Sequence, residues 1–263
     1  MKYKIAKIPK DNGEFRILHI PDEELKKRQK EYLYKVLAKF NYPELIKIKI
    51  LGQHKCSPKE LMFYVNHYVD TDYKDIYLTE IDIKDFFTNI TPDYFLTFMQ
   101  ALDFEEFINT CFVKYKGQFV LPQGAPTSPR LSCLAIARLL KIIDKFLDKK
   151  DAFLVNYIDN FYLFHIDETL KFKVYLSIKN YGFDISKFIT KRIPYRSENK
   201  PFIKMLGYTL CREDNGKIVA NVRQKTKHTI RGLEHRLKKG DHSISKKLKG
   251  YYAWINVINQ INQ

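Results

Sequence analysis

The amino-acid sequence predicts an α+β fold in which an antiparallel sheet is backed by helices. Three apolar runs, at residues 76–83, 153–157 and 161–166, have the length and the aliphatic or aromatic content of strands. Thr91-Pro92 and Ser128-Pro129 lie between them, and each pair is typical of a helix N-terminus. The 263-residue chain is 45% hydrophobic and 14% aromatic, which is enough for a large core. The order strand, helix, helix, hairpin, helix, strand favours an α+β protein.

The first forty residues predict a β-hairpin followed by a helix. Apolar residues recur within residues 3–8 and 15–20, on either side of a Lys-Asp-Asn-Gly turn at residues 10–13. Pro21-Asp22 then begins a helix that runs toward Phe40.

The rest of the chain predicts further helices and strands. Ile158, Asp159 and Asn160 join two apolar strands in a tight hairpin with a polar tip. Three helices are predicted, from Thr91 to about Leu102, from Ser128 to about Asp148, and from Thr169 to Tyr181 before Gly182. Another strand is predicted from Lys204 to Leu210.

The charge distribution indicates a polyanionic partner. Lys and Arg number 46 against 30 Asp and Glu, a net charge of +16. Residues 212–263 hold 12 of the basic and 4 of the acidic residues, and predict two helices separated by Gly240-Asp241. A basic helix pair can simply be a solvated surface, but an excess of this size favours contact with phosphates. Nucleic acid is the first expectation and an anionic membrane the second.

The sequence argues against several other classes. Cys56, Cys111, Cys133 and Cys211 form no CxxC pair, so we expect reduced thiols rather than a zinc ribbon or a disulfide framework. The longest apolar stretch, residues 131–140, is about half of a membrane span, and no apolar run follows the N-terminal lysines. We therefore expect a cytoplasmic protein with no membrane segment and no signal peptide.

Two aspartates are the first candidates for catalysis. Asp82 ends a predicted strand, with Asp85 three residues further on, and Asp159 lies at the tip of the apolar hairpin. A carboxylate beside so much apolar surface needs a cation. Magnesium prefers a few carboxylates together with substrate phosphates, so the pattern is compatible with two-metal phosphoryl transfer. Taken alone, Asp159 is better explained as a turn former.

The complete set of motifs resembles the bacterial reverse transcriptases of the retron, abortive-infection or diversity-generating type. The similarity covers almost the whole chain. The matching segments, in order, are Tyr3 to Gln29 (fingers), Asp82-Ile83-Lys84-Asp85-Phe86-Phe87 (motif A), Leu121-Pro122-Gln123-Gly124-Ala125-Pro126-Thr127-Ser128-Pro129 (motif B), Tyr157-Ile158-Asp159-Asn160 (motif C) and Leu206-Gly207-Tyr208 (primer grip). Motif B is the most specific of them.

The resemblance implies a right-hand polymerase and a role for each matching residue. Two Mg²⁺ ions, or Mn²⁺, would be held by Asp82, Asp159 and the carbonyl of Ile83. The catalytic set would be Asp82, Asp159 and Asn160. The incoming dNTP would contact Lys10, Arg16, Ile83, Asp85, Phe87, Gln123 and Gly124, with Phe87 excluding a 2′-hydroxyl. Leu206, Gly207 and Tyr208 would grip the primer, and Arg223, Lys225, Lys227 and Arg231 of the thumb would hold nucleic acid. The implied divisions are fingers 1–79, palm 80–110, a fingers–palm junction 111–127, palm 128–211 and a basic helical thumb 212–263.

The sequence departs from the family pattern in four places. Asn160 replaces the second aspartate of motif C, which removes a negative charge from the metal site. The motif D lysine is ambiguous, since Lys187 and Lys191 are both candidates for the general acid that protonates pyrophosphate. The Val-Thr-Gly element of retron enzymes is absent, and Asn66-His67 is only a loose match to the retron Asn…His element. The chain ends soon after a thumb-like Lys249–Trp254, so we expect no RNase H, endonuclease or maturase domain.

Three functions follow as alternatives. The first is an RNA-directed DNA polymerase that extends a DNA primer with dNTPs on an RNA template, such as a cognate non-coding RNA, with a protein partner or an oligomer assisting. Anti-phage defence is an analogy with the family. The second is a polymerase-shaped RNA-binding scaffold, in which Asn160 marks weakened catalysis. The third is template-independent or protein-primed DNA synthesis.

Overall fold

The computed structural model describes residues 3–9, 13, 15–41, 43–51, 58–101, 103–147, 151–198 and 200–261. Lys10, Cys56, Leu102 and Asp148 lie outside the described residues, as does most of the predicted 10–13 turn.

Within the described residues, the strands form one central sheet and three smaller ones. In chain order they are β1 Tyr3–Pro9, β2 Phe15–Pro21, β3 Ile48–Ile50, β4 Tyr77–Ile83, β5 Val113–Tyr115, β6 Gln118–Val120, β7 Ala152–Tyr157, β8 Asn160–His165, β9 Ile185–Arg192, β10 Ile203–Met205, β11 Tyr208–Arg212 and β12 Ile218–Val222.

The helices pack around these sheets. The α-helices are α1 Glu23–Lys35, α2 Pro58–Tyr68, α3 Phe104–Cys111, α4 Ser128–Ala135, α5 Ala137–Leu147, α6 Thr169–Asn180, α7 Gln224–Lys238 and α8 Ser245–Ile261. Short 3₁₀ helices span Leu37–Lys39, Phe86–Asn89, Pro92–Ala101 and His242–Ile244. Among the described residues, none of the helices combines the length and apolar character needed to cross a bilayer.

The central sheet has the strand order β3-β7-β8-β4-β9 and is antiparallel except for the β3–β7 pair. Side chains alternate between its faces because successive residues of a strand point in opposite directions. One face packs against α3, α4, α5 and α6, through residues such as Ile81, Leu154 and Leu163. The other face packs against α2 and the β10-β11-β12 sheet, through residues such as Leu78 and Phe153. The predicted α+β fold, an antiparallel sheet backed by helices, is confirmed.

Several predicted elements are confirmed with small shifts of their ends. The N-terminal hairpin pairs Tyr3 with Pro21, and the Asp22 carboxylate caps α1 by accepting from the Leu25 amide at 2.8 Å. The strand ending at Ile83, the β7–β8 hairpin, the helix before Gly182 and the two C-terminal helices are all present. The β7–β8 turn is shorter than predicted, since Asn160 already pairs with Tyr157.

Four element predictions are wrong in detail. The helix toward Phe40 ends at Lys35, because the Lys39 and Phe40 amides donate to carbonyls three residues back and form a 3₁₀ turn instead of continuing the α-helix. The element after Thr91 is a 3₁₀ helix, in which the Tyr94 amide donates to the Thr91 carbonyl at 3.3 Å. The helix predicted from Ser128 is broken at Ile136, where φ is −96° and ψ is 3°.

The fourth correction concerns the strand predicted from Lys204 to Leu210. It is a hairpin of β10 and β11, whose turn residues Leu206 and Gly207 have φ of 44° and 92°. Positive φ at both central residues is the conformation of a tight two-residue hairpin turn. The sequence pattern was misleading because a residue such as Leu206 rarely adopts this conformation.

Candidate active site

Asp82 and Asp159 lie side by side on neighbouring elements of the central sheet. Asp82 is the penultimate residue of β4 and directly faces Asn160, the first residue of β8. The Ile83 amide donates to the Asp159 carbonyl at 3.0 Å, which joins β4 to the β7–β8 turn. Two acidic residues 77 positions apart in sequence are therefore brought together at one end of the sheet.

Electrostatics at this pair favour a bound cation. Burial raises the pKa of the Asp159 carboxyl, and the neighbouring Asp82 carboxylate raises it further. The Asn160 hydrogen bond and the positive charge of Arg16 act in the opposite direction. Because the Asp82 carboxylate disfavours the ionised form of Asp159, a divalent cation between the two side chains would relieve this repulsion.

The two carboxylates are oxygen donors of the kind that magnesium prefers. Among the described residues, no group of three or more His, Cys, Asp or Glu side chains forms a metal cluster. Two carboxylates with room for substrate oxygens are the pattern that Mg²⁺ uses in phosphoryl-transfer sites.

Asn160 uses its amide as a donor toward the neighbouring aspartate. Its Nδ2 lies 2.8 Å from Asp159 Oδ1. The amide thus stabilises the ionised form of Asp159 and adds no charge of its own.

A buried asparagine that the sequence analysis missed supports the turn. Asn156 is fully buried, and its Nδ2 donates to the carbonyls of Ile158 at 3.1 Å and Asn160 at 3.3 Å. Ile158 has φ of 58°, a left-handed conformation that a β-branched residue adopts only when its surroundings impose it. An asparagine inside the apolar run 153–157 was the signal available in the sequence.

A second missed residue orients Asp82. The Ser186 hydroxyl lies 2.7 Å from Asp82 Oδ2 and 3.1 Å from the Asp82 carbonyl. The β4–β9 register shifts between Asp82 and Ile83, and this irregularity places Ser186 beside the carboxylate. No sequence signal pointed to Ser186, because the contact depends on the pairing register.

The two candidate general acids lie on β9, at different distances from the aspartates. Lys187 pairs directly with Asp82 in the sheet, and its ammonium lies 2.6 Å from Glu80 on the same face. Lys191 faces Leu78, four residues further along the strand. Lys187 is therefore the nearer of the two to the aspartate pair.

The segment after Asp82 turns sharply into the core. Asp85 has φ of 49°, and its carbonyl accepts from the Thr88 and Asn89 amides. Phe87 is half-buried, and its ring lies 5.8 Å from that of Phe86 in an edge-on contact. The contact with Phe86 does not test whether the Phe87 ring excludes a 2′-hydroxyl, so that role stays a prediction.

The N-terminal hairpin is attached to the motif B loop. The His19 amide of β2 donates to the Gln123 carbonyl at 2.8 Å, and a Cβ added to Gly124 would lie 3.5 Å from the His19 carbonyl. Gly124 has φ of 109°, which favours glycine. Arg16 acts electrostatically on Asp159, Gln123 and Gly124 contact the hairpin at His19, and Lys10 lies outside the described residues.

The β10–β11 hairpin contacts the residue that precedes α7. Leu206 and Gly207 form the hairpin turn, and the Tyr208 carbonyl accepts from Arg223 Nε at 3.2 Å. Arg223 also acts electrostatically on the buried Tyr162, whose pKa is raised by burial and then by Glu80, Asp82 and Asp159. The other three thumb candidates lie exposed on α7 and are Lys225, Lys227 and Arg231.

Together, the sheet, the aspartate-bearing hairpin turn and the helical C-terminal region define a right-hand polymerase fold, as predicted. The chain belongs to the reverse transcriptase (RNA-dependent DNA polymerase) family, whose model matches residues 8–209. The sequence-based recognition of a reverse transcriptase is thereby confirmed, and its bacterial subclass stays a prediction.

Solved telomerases share the fold. The apo telomerase of Candida tropicalis, truncated from its C-terminal domain, superposes with a TM-score of 0.52 at 15% identity, over 84% of this chain and 55% of that one. The Candida albicans telomerase in complex with a TWJ fragment of telomeric RNA gives 0.52 at 14% identity, over 83% and 45%. This chain thus spans about half the length of these structures. No curated protein is similar enough in sequence to count as a relative.

Proposed function

We propose that this chain is an RNA-directed DNA polymerase that extends a DNA primer on an RNA template. The observation that carries the proposal is the adjacency of Asp82 and Asp159 in a chain of the reverse transcriptase family.

The reaction joins a primer 3′-oxygen to the α-phosphorus of a dNTP and releases pyrophosphate. Asp82, Asp159 and the Ile83 carbonyl would hold two divalent cations, Mg²⁺ or Mn²⁺, which activate the 3′-hydroxyl and neutralise charge on the leaving group. Ser186 and Asn156 keep the two carboxylates in place. Lys187 or Lys191 donates the proton that pyrophosphate takes up, and the position of Lys187 opposite Asp82 favours it.

The remaining site residues position the substrates. Lys10 and Arg16 bind the triphosphate, for which a guanidinium fork is well suited. Asp85, Phe87, Gln123 and Gly124 shape the nucleotide pocket, and the Phe87 ring selects against a 2′-hydroxyl. The primer end rests on Leu206, Gly207 and Tyr208, while Arg223, Lys225, Lys227 and Arg231 contact phosphates. The corresponding divisions are fingers 1–79, palm 80–110 and 128–211, their junction 111–127, and thumb 212–263.

Asn160 supports a second candidate function. Its amide contributes no charge to the metal site, and the resulting weaker metal binding is what a polymerase-shaped RNA-binding scaffold without catalysis would show. We favour retained catalysis, because Asp82 and Asp159, the two residues that would contact the metals, are both aspartates. Template-independent or protein-primed synthesis is the third candidate.

The biological setting is proposed by analogy. The motif resemblance favours a bacterial enzyme that acts in the cytoplasm, with a cognate non-coding RNA as template and a protein partner or oligomer, in anti-phage defence.

Metal-dependent incorporation of dNTPs on an RNA template with a DNA primer tests the proposal. Asp82→Ala should abolish incorporation while RNA binding persists, and Asp151→Ala, which changes an exposed aspartate before β7, should leave it unchanged. If the wild type is inactive with Mg²⁺ and Mn²⁺ and Asn160→Asp restores synthesis, the scaffold reading is correct. Product formed without template would identify the third candidate.

A further inference from the structure

Helix α2 presents four aromatic rings in one continuous array. The rings of Phe63 and His67 are parallel within 3°, with centroids 5.9 Å apart, and both side chains are exposed. Tyr64 and Tyr68 form a second parallel pair at 6.4 Å, which contacts the first pair edge-on.

The outer pair is not needed to bury the helix. Leu61, Met62 and Val65 fill the core side of α2, whereas Phe63 remains 65% exposed. Leaving such a ring in water forgoes the free energy of burying it. Its parallel stacking with His67 leaves a pair of aromatic rings exposed to solvent.

Lysine ammonium groups border the array. Lys49 Nζ lies 4.6 Å from the Tyr64 centroid, and Lys47 Nζ lies 4.5 Å from the Tyr68 centroid. Alternating aromatic faces and cations are the chemistry that binds single-stranded nucleic acid, since bases stack on rings and phosphates pair with cations.

The array lies on the same face of the central sheet as the aspartates. Tyr64 stacks on Phe153 of β7, at 5.9 Å, and Phe153 precedes Asp159 by six residues along the hairpin. Phe153 lies four strand residues before Tyr157, which closes the turn, so the Tyr64–Phe153 contact is roughly 13 Å along β7 from that turn at about 3.3 Å per residue.

We infer that Phe63 and His67 form a stacking site for unpaired bases of an RNA strand, bordered by Lys47 and Lys49. The inference rests on the proposed function for the choice of RNA as ligand.

Fluorescence anisotropy tests the site with the full chain, a labelled unstructured RNA of about 16 nucleotides and an abasic strand with the same backbone. Phe63→Leu, which removes the ring but keeps an apolar side chain, should weaken binding of the base-containing RNA by about tenfold and leave binding of the abasic strand unchanged. Phe63→Trp should bind RNA at least as tightly as the wild type. The matched control is Phe172→Leu, which changes a 54% exposed ring on α6 and should have no effect.

The inference fails if Phe63→Leu binds RNA like the wild type, or if both strands lose affinity equally. Lys49→Gln should lower the slope of log affinity against log salt concentration by about one. An unchanged slope would show that Lys49 does not contact a phosphate. This test is independent of the polymerase proposal. If RNA binding depends on Phe63 but the protein incorporates no dNTP, the polymerase proposal is rejected and the stacking site at Phe63 and His67 is retained.

Discussion

Replacing Asn156 tests whether the aspartate-bearing turn depends on one buried amide. Asn156→Leu removes the donors to the Ile158 and Asn160 carbonyls and keeps a side chain of similar size. Each carbonyl left without a partner costs about 1–2 kcal/mol in a partly buried position. The leucine also removes the buried amide Oδ1, which has no hydrogen-bond partner among the described residues. Removing this unpaired atom raises the unfolding free energy by about 1 kcal/mol. The net loss of unfolding free energy is therefore about 1–3 kcal/mol.

The same change should lower catalysis more than stability. Without the amide, Ile158 can leave its left-handed conformation, which by itself costs about 1–2 kcal/mol, and the turn then displaces Asp159. A displacement of about 1 Å costs on the order of 100-fold in rate. We expect kcat for dNTP incorporation to fall at least tenfold while the KM for dNTP changes little. Primer extension under saturating template and urea unfolding measure the two effects.

Asp144→Leu is the matched control for this prediction. Asp144 accepts from two backbone amides, of Ile46 at 3.0 Å and Lys47 at 2.8 Å, just before the edge strand β3. Its replacement should lower stability and leave kcat unchanged. The reasoning is refuted if Asn156→Leu keeps kcat within threefold of the wild type, or if both variants lose kcat equally.

Three further predictions concern stability and charge. Burial lowers the pKa of His165 from 6.5 to about 4. As the pH falls from 7 to 4, His165 therefore takes up a proton in the unfolded chain before it does so in the folded protein. Stability should fall by about 3 kcal/mol from pH 7 to pH 4, and urea unfolding of His165→Gln should lack this contribution; an unchanged pH dependence would contradict it. Arg212 is fully buried and donates to three backbone carbonyls, so Arg212→Met should cost about 2–4 kcal/mol in urea unfolding, and a loss below 1 kcal/mol would argue against that role. Asn160→Asp replaces a donor to Asp159 by a like charge, so it should lower the Tm without metal and make Mg²⁺ raise the Tm more than in the wild type; equal Mg²⁺ shifts would contradict this.

The sequence alone determined the features that depend on neighbouring residues. Asp22 caps a helix because an aspartate before a helical pattern accepts from an amide three residues on. The β7–β8 hairpin and its polar tip followed from two apolar runs separated by turn residues. The motif order was sufficient to recognise the family.

Contacts between distant segments were decided only by the tertiary structure. The Ser186 contact with Asp82 depends on a register shift, and the Arg223 contact with Tyr208 depends on how α7 meets the hairpin. The buried Arg212 also contradicts the usual exposure of arginine, and its carbonyl partners Lys74 and Thr71 lie more than 130 residues away.

The physical reason is that pairing across a sheet leaves no local pattern. A strand carries the alternation of its faces in its own sequence, but its partner and register are set by the packing of the whole core. The sequence therefore identified Asp82 and Asp159 as candidates, and the antiparallel pairing of β4 with β8 made them neighbours.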